Sequence, residues 1–283
     1  MSEKLWKVLV TGSEGYIGKH LCHALEKHFI EVHRLDKHFS EGRDLTNCYE
    51  LDIRKPQDIR KTMLPTIEFD AIIHLAALVR VGESVEYPTA YYNTNINGTN
   101  WLRNIVPHSK FIFASTGAAS GMASPYAISK KVAEDMLREQ EPDATIFRFY
   151  NVIGSEGFPP TNPDGLFYNL IQAVETGKFT IYGDDYNTKD GTCIREYVHV
   201  MDICRALMKA IDTSSENHIE NLAYGDTRTV KEIVEIFKRV NDVDFEVEYK
   251  PRRPGDLEAC YLEHPSKFMI QNYNYDEMMV WKP

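Results

Sequence analysis

The feature that most constrains this chain is the joint near its start, KVLV-TGSEGYIG-KH. An apolar run of strand character leads directly into glycines at 12, 15 and 18, and a helical pattern begins at about 16. Glycine has no Cβ, so a backbone can turn sharply there and another group can come close. A strand that passes straight into a helix must cross over before its next pairing, which favours a parallel sheet. Further runs repeat the rhythm. LWKVLVTG, EVHRLD, YELDI, AIIHLA, KFIFAS and ATIFRFY read as strands, and helical patterns lie near 16–28, 56–64, 88–106 and 125–139. Runs as apolar as AIIHLA suit central strands covered on both faces. The expectation is an α/β fold: a Rossmann-type doubly wound parallel sheet with a smaller α/β lobe.

The rhythm changes after Tyr150. A Gly- and Pro-rich loop, GSEGFPPTNPDG, precedes a helix near 166–177, and FTIYGDDYNTKDGT reads as a second loop. VHVMDICRALMKAID and TVKEIVEIFKRV read as helices. This divides the chain into a first domain at 1–151 and a second at 152–283, with a segment at about 196–213 placed to return to the first.

Bulk properties exclude several classes. With 283 residues, a net charge of −10 and a pI of about 5.5, the chain lacks the basic surface a general nucleic-acid binder needs. Five cysteines at 22, 48, 193, 204 and 260 show no CxxC spacing and cannot all pair, which suits a reducing compartment. No apolar run approaches the ~20 residues of a membrane span. The start MSEKLWKVLV enters a strand too soon for a signal peptide. A cytoplasmic protein without a membrane partner or metal site is expected.

The glycine joint answers to a dinucleotide. A helix N-terminus offers free N–H groups and partial positive charge to a pyrophosphate, and the strand–glycine–helix context is what lends the spacing weight. The following strand ends at Asp36, whose carboxylate can accept from both ribose hydroxyls and would repel a 2′-phosphate. That favours NAD over NADP. Asp52 and Ile53 end the third strand and suit the adenine edge; the competing reading of Asp52 is a cap on the helix at 56–64.

The chemistry is carried by FASTGAASGMASPYAISK. Tyr126 and Lys130 are four residues apart, which puts them on one helical face. A phenol with a pKa of ~10 is a poor base near neutrality, and a neighbouring ammonium lowers that value by stabilising the phenolate. Such a tyrosine can take a hydroxyl proton while hydride leaves the same carbon. Thr116, at the end of the preceding strand, can bridge the substrate oxygen and the phenolate.

With these residues in place, the sequence resembles the extended short-chain dehydrogenase/reductases, and most of all the UDP-glucose (UDP-galactose) 4-epimerase family. TGSEGYIG resembles the family's TGGxGYIG. HLAALVRVGESVEYPTAYYNTNINGT resembles its segment with VGES and NxNGT, and RFYNVIG its RYFNxxG. GDDYNTKDGTCIREYVHVMD and PRRPGD resemble the family's nucleotide-sugar lobe, so the similarity spans nearly the whole chain.

The resemblance implies that Gly12, Gly15, Tyr16, Ile17, Gly18, Asp36, Asp52, Ile53, Tyr126 and Lys130 hold NAD, with Asn95 near the cofactor in the NxNGT position. It implies that Thr116 and Tyr126 act on the sugar O4, supported by Lys130. It further implies that Asn151, Tyr182, Arg195, Arg253 and Asp256 bind the UDP moiety. Paired arginines can neutralise a diphosphate through forked hydrogen bonds; the competing reading of Arg253 is a surface ion pair. Cys260 takes a place where relatives present either a bulky tyrosine or a small residue to the sugar's C2 substituent. A homodimer formed by helices near 88–106 and 126–139 is implied as well.

The implied reaction interconverts UDP-Glc with UDP-Gal, and UDP-GlcNAc with UDP-GalNAc, through a transient 4-keto sugar. Val79 stands where relatives often have a lysine, and Gly165 where they have an asparagine. Only Met122, Ala123 and Ser124 separate Gly121 from Pro125, where relatives usually carry a longer stretch beside the sugar. That short loop keeps an NAD(P)H-dependent 4-keto-sugar reductase in play. Dehydratases of the superfamily usually follow the threonine with Asp-Glu, and here Gly117-Ala118 follow. A non-catalytic NAD-binding sensor generally lacks the Tyr or the Lys, and both are present.

Overall fold

A computed structural model describes residues 5–42, 44–213, 218–253, 258–261 and 266–281. The first half runs β1 (Lys7–Thr11), α1 (Tyr16–Lys27), β2 (Glu31–Asp36), β3 (Cys48–Glu50), α2 (Pro56–Arg60), β4 (Ala71–His74), α3 (Val81–Glu86), α4 (Pro88–Tyr92), a π-helical segment at Asn93–Gly98, α5 (Thr99–Ile105), β5 (Phe111–Thr116), a 3₁₀ turn at Gly117–Ser120, α6 (Pro125–Gln140) and β6 (Thr145–Phe149). There follow β7 (Asn151–Ile153), α7 (Leu166–Thr176), β8 (Lys178–Tyr182), β9 (Ile194–His199), α8 (Val200–Asp212), β10 (His218–Leu222), β11 (Thr227–Thr229), α9 (Val230–Asn241), β12 (Glu246–Lys250), β13 (Ala259–Cys260) and α10 (Tyr275–Met278).

The chain divides into two compact units, 1–148 with 204–220 and 149–203 with 221–283. The first unit carries a seven-stranded sheet in the order β10-β6-β5-β4-β1-β2-β3. The pairings of β1 with β2 and β4, of β2 with β3, and of β4 with β5 are parallel. Its core gathers Leu9, Leu35, Ile72, Phe111 and Phe113 from the strands with Leu102, Ala133 and Leu137 from the helices. Strand order reverses between β1 and β4, and in sheets of this kind ligands bind beyond the C-terminal strand ends at that reversal.

In the second unit β9 pairs with β11, β13 and β7, while β8 pairs in parallel with β12. Its core joins Phe167, Leu170, Ile181, Tyr197, Ile233 and Phe237 with Tyr275 and Met278 near the C-terminus. Thr229 and Glu232 form a reciprocal capping box that starts α9.

Several sequence expectations are corrected. FTIY is not loop but β8, with Phe179 and Ile181 buried in alternation. The helix expected at 56–64 stops at Arg60, and Leu64–Thr66 form a separate 3₁₀ turn. The pattern at 88–106 is broken by the π segment. The strand read in YELDI ends at Glu50, and Val198 and His199 close β9 rather than opening a helix. Among the described residues, no helix is long and apolar enough to cross a membrane, and no group of three or more His, Cys, Asp or Glu side chains is placed to hold a metal ion.

Candidate active site

The site in the first unit is built on the loops that follow β1, β4 and β5. Gly12 has φ +71, and a Cβ there would lie 2.8 Å from the Ala76 nitrogen. The loops after β1 and β4 therefore meet with no room for a side chain. A Cβ at Gly18 would lie 2.1 Å from the Gly12 carbonyl oxygen, so this glycine lets α1 press against the loop. Gly15 is the N-cap of α1 and brings no side-chain acceptor, and the first turn has no acidic residue. Tyr16 and Ile17 follow in that turn. The helix start is thus chemically suited to an anion. Asp36 closes β2 and accepts from the Glu14 N–H at 2.8 Å and the Lys37 N–H at 2.7 Å.

Asp52 is not the cap of α2, whose N-cap is Lys55. Its carboxylate accepts from the Arg54 N–H at 3.0 Å and from the Arg54 guanidinium, which holds it below the usual carboxylate range. Ile53 is buried, and a Cβ on Gly98 would lie 2.8 Å from its Cδ1, so the π segment passes directly over it.

Asn95 lies inside that π segment, 1% exposed. Its amide donates to the Leu78 carbonyl and the Ser129 hydroxyl, both at 2.9 Å, and accepts from the Leu78 N–H at 2.9 Å. It thereby ties the loop after β4 to α6. π-Helical turns often occur at such functional positions. A second buried chain runs beside it. Thr99 donates to the Asn95 carbonyl, so its hydroxyl accepts from His74 Nε2 at 2.9 Å. His74 Nδ1 is left to accept from the Thr11 hydroxyl at 2.6 Å. Burial, with Lys130 nearby, pushes His74 down to about 3 and keeps it neutral.

Thr116, Tyr126 and Lys130 come together as the spacing predicted. Thr116 ends β5, and its hydroxyl accepts from the Ala118 N–H at 3.3 Å while favouring the phenolate of Tyr126. Ser124 caps α6 by accepting from the Ala127 N–H, which fixes the helix that carries both Tyr126 and Lys130. Lys130 is 3% exposed, with Nζ 4.0 Å from the centroid of the Phe113 ring. The expected lowering of the tyrosine is not what this environment produces. Burial pushes Tyr126 up to about 12, partly offset by Thr116. Burial likewise pushes Lys130 down to about 7, with Glu134 opposing it. Desolvation disfavours both charged forms and is the largest influence on each.

In the second unit, Arg195 on β9 stands directly opposite Cys260 on β13 and opposite Arg228 on β11. Residues in register share a face of the sheet. Arg253 lies over the Tyr182 ring at 4.1 Å, a cation–π contact that orients its guanidinium. Its neighbour Arg252 is instead engaged with Asp185 and stacked on Tyr186. Asn151 donates to the Glu196 carbonyl at 3.0 Å. Asp256 lies outside the described residues.

The sequence reading missed Glu134 and Arg148. Glu134 lies four residues beyond Lys130 and eight beyond Tyr126, so helical spacing alone could have found it.

A family model described as "NAD dependent epimerase/dehydratase family" matches residues 8–223. The chain belongs to that family. A curated UDP-glucose 4-epimerase from Bacillus subtilis is 30% identical over 305 residues, covering 92% of this chain and 89% of the relative. Among solved structures, the UDP-glucose 4-epimerase from Bifidobacterium longum, in complex with NAD+ and UDP, superposes with a TM-score of 0.83 at 27% identity, with 96% of each chain covered. The UDP-Glc/GlcNAc 4-epimerase from Campylobacter jejuni superposes with a TM-score of 0.78 at 31% identity, with 97% of each covered. The NAD of this epimerase/dehydratase fits the glycine joint, the uncapped start of α1 and the carboxylate of Asp36.

Proposed function

We propose that the protein is an NAD-dependent 4-epimerase of UDP-hexoses. The observation that carries the reading is the Thr116–Tyr126–Lys130 set, with Thr116 acting on Tyr126 and Lys130 buried one turn further along α6. The first unit serves as the NAD-binding domain, through Gly12, Gly15, Tyr16, Ile17, Gly18, Asp36, Asp52 and Ile53, with Asn95 behind them. The second serves as the nucleotide-sugar lobe, with Asn151, Tyr182, Arg195, Arg253 and Asp256 on the UDP moiety. When bound, NAD accepts and then returns the C4 hydride, and its nicotinamide charge favours the Tyr126 phenolate. Tyr126 takes the proton from O4 and later gives it back. Thr116 holds that oxygen in line, and Lys130 supplies the compensating charge. Arg195 and Arg253 anchor the diphosphate while the 4-keto sugar turns over.

The enzyme acts on UDP-Glc/UDP-Gal and on UDP-GlcNAc/UDP-GalNAc, in the cytoplasm and as a homodimer. Trp101 and Val132 are exposed on the helices that would pair, which supports that assembly. The decisive experiment incubates NAD-loaded protein with each UDP-sugar and resolves the epimers by NMR. Catalytic interconversion without net NADH consumption is expected. Stoichiometric NADH use would indicate the reductase instead. Tyr126→Phe should lower the rate by ~10²–10⁴-fold, and near-normal turnover would exclude this mechanism.

A further inference from the structure

Behind Lys130 lies a buried ion pair that the reaction as described does not use. Glu134 is 0% exposed and follows Tyr126 and Lys130 at successive turns of α6. Its Oε1 accepts from the Ser115 hydroxyl at 2.5 Å and from Arg148 Nε at 2.8 Å; its Oε2 accepts from Arg148 Nη2 at 2.6 Å. Arg148 Nη1 donates to the Ser120 hydroxyl at 2.8 Å. Ser115 directly precedes Thr116, and Ser120 ends the 3₁₀ turn that leads into the shortened loop before Pro125. One carboxylate and one guanidinium therefore join the end of β5, the turn after it, β6 and the helix that carries Tyr126 and Lys130.

We propose that Glu134 and Arg148 are positioning residues for the Thr116–Tyr126–Lys130 set, fixing its geometry through Ser115 and Ser120, with the Glu134 carboxylate placed to favour the charged form of Lys130. The geometric half follows from the hydrogen bonds. Thr116 and Tyr126 arrive on different elements, and Glu134 holds those two elements in register. The loop that usually flanks this region is short here, and the bond from Arg148 to Ser120 secures what remains. The electrostatic half follows from burial, since the Glu134 carboxylate lies one turn from Lys130 in this interior and favours its charged form. Among the described residues, His74 and Tyr91 also face the set. Burial, with Lys130 nearby, keeps His74 on β4 neutral. Tyr91 on α4 packs edge-on to Tyr126 and is bonded to Glu83 and to the Arg80 backbone.

The inference rests on the epimerase reading, and its test separates the two. The acid limb of the rate profile reports loss of the Lys130 proton. Glu134→Gln removes the carboxylate that favours charged Lys130, which eases that loss. The limb should move to lower pH by about one unit. Arg148→Lys keeps the charge but loses the fork. It should leave the limb in place while kcat falls about ten- to a hundredfold with KM little changed. The charge shift can also be read without turnover, as tyrosinate absorbance of the NAD-loaded protein with Tyr126→Phe as the blank. An unmoved limb in Glu134→Gln or wild-type kcat in Arg148→Lys would each overturn the proposal. Should Glu134→Gln fail to fold, the kcat of Arg148→Lys still decides. Absence of any epimerisation by the wild type would defeat the functional reading alone, leaving the tyrosinate titration to test the pair.

Discussion

Asn95 Nδ2 donates to the Ser129 hydroxyl at 2.9 Å, and that hydroxyl donates to the Tyr126 carbonyl at 2.7 Å. The backbone of Tyr126, to which we assign the proton transfer, is thereby linked to the π segment, and through Asn95 to both backbone groups of Leu78. Asn95→Ala would leave buried polar groups unpaired at each of these points. Stability should fall by about 1–3 kcal/mol, and kcat should drop more than KM changes. Urea unfolding and steady-state kinetics would check this. An unchanged unfolding midpoint would mean that the buried amide does not brace the site.

Asp36 concerns the choice of cofactor. Its carboxylate is fixed at the end of β2 by the Glu14 N–H of the glycine loop. Asp36→Ala should weaken NAD binding about ten- to a hundredfold, the range for losing a hydrogen bond to a charged group. It should also narrow the preference over NADP, because the repelling charge goes with it. Titration calorimetry with both cofactors is the measurement, and unchanged affinity for both would place Asp36 away from the ribose.

His74 predicts an acid liability. Its folded pKa is about 3 because the ring is buried, with Lys130 nearby, against ~6.5 in an unfolded chain. Above pH 6.5 neither state binds the proton and the histidine costs nothing. As pH falls from about 6.5 towards 3, only the unfolded chain takes it up, so stability is lost, by about 2 kcal/mol at pH 5. His74→Gln removes this linkage. The difference in unfolding free energy between wild type and variant should shrink by about that amount between pH 7.5 and pH 5, and a constant difference would refute the assignment.

What could be read from the sequence was local. The strand–glycine–helix joint and the Tyr126–Lys130 spacing are short-range patterns, and each maps onto the structure residue for residue. What could not be read depends on partners distant in the chain. FTIY becomes strand β8 because it pairs with β12, whose residues begin only at Glu246. The π segment leaves no mark in hydrophobic period, yet it is what places Asn95 between Leu78 and Ser129. Spacing argued that Lys130 would lower the Tyr126 pKa. It could not show that Phe113, His74 and Tyr91 enclose the pair closely enough for desolvation to prevail.

Cys260 bears on which sugars are accepted. It is half-buried on β13, directly opposite Arg195, which we assign to the diphosphate. Burial pushes its thiol up, with Arg195 pulling the other way, so the side chain stays a small neutral wall near neutrality. If it lines the sugar site as proposed, such a wall leaves room for an acetamido group at the sugar's C2, where a tyrosine would not. The Campylobacter jejuni protein, 31% identical, is a UDP-Glc/GlcNAc 4-epimerase. Cys260→Tyr should therefore suppress turnover of UDP-GlcNAc and UDP-GalNAc while largely sparing UDP-Glc and UDP-Gal, because filling a pocket excludes the ligand that needs its volume. The ratio of kcat/KM for the two sugar classes is the quantity to compare between wild type and variant. If the ratio stays the same, whether both activities fall or neither does, Cys260 is a small buried hydrophobe in the sheet and the C2 pocket is formed elsewhere.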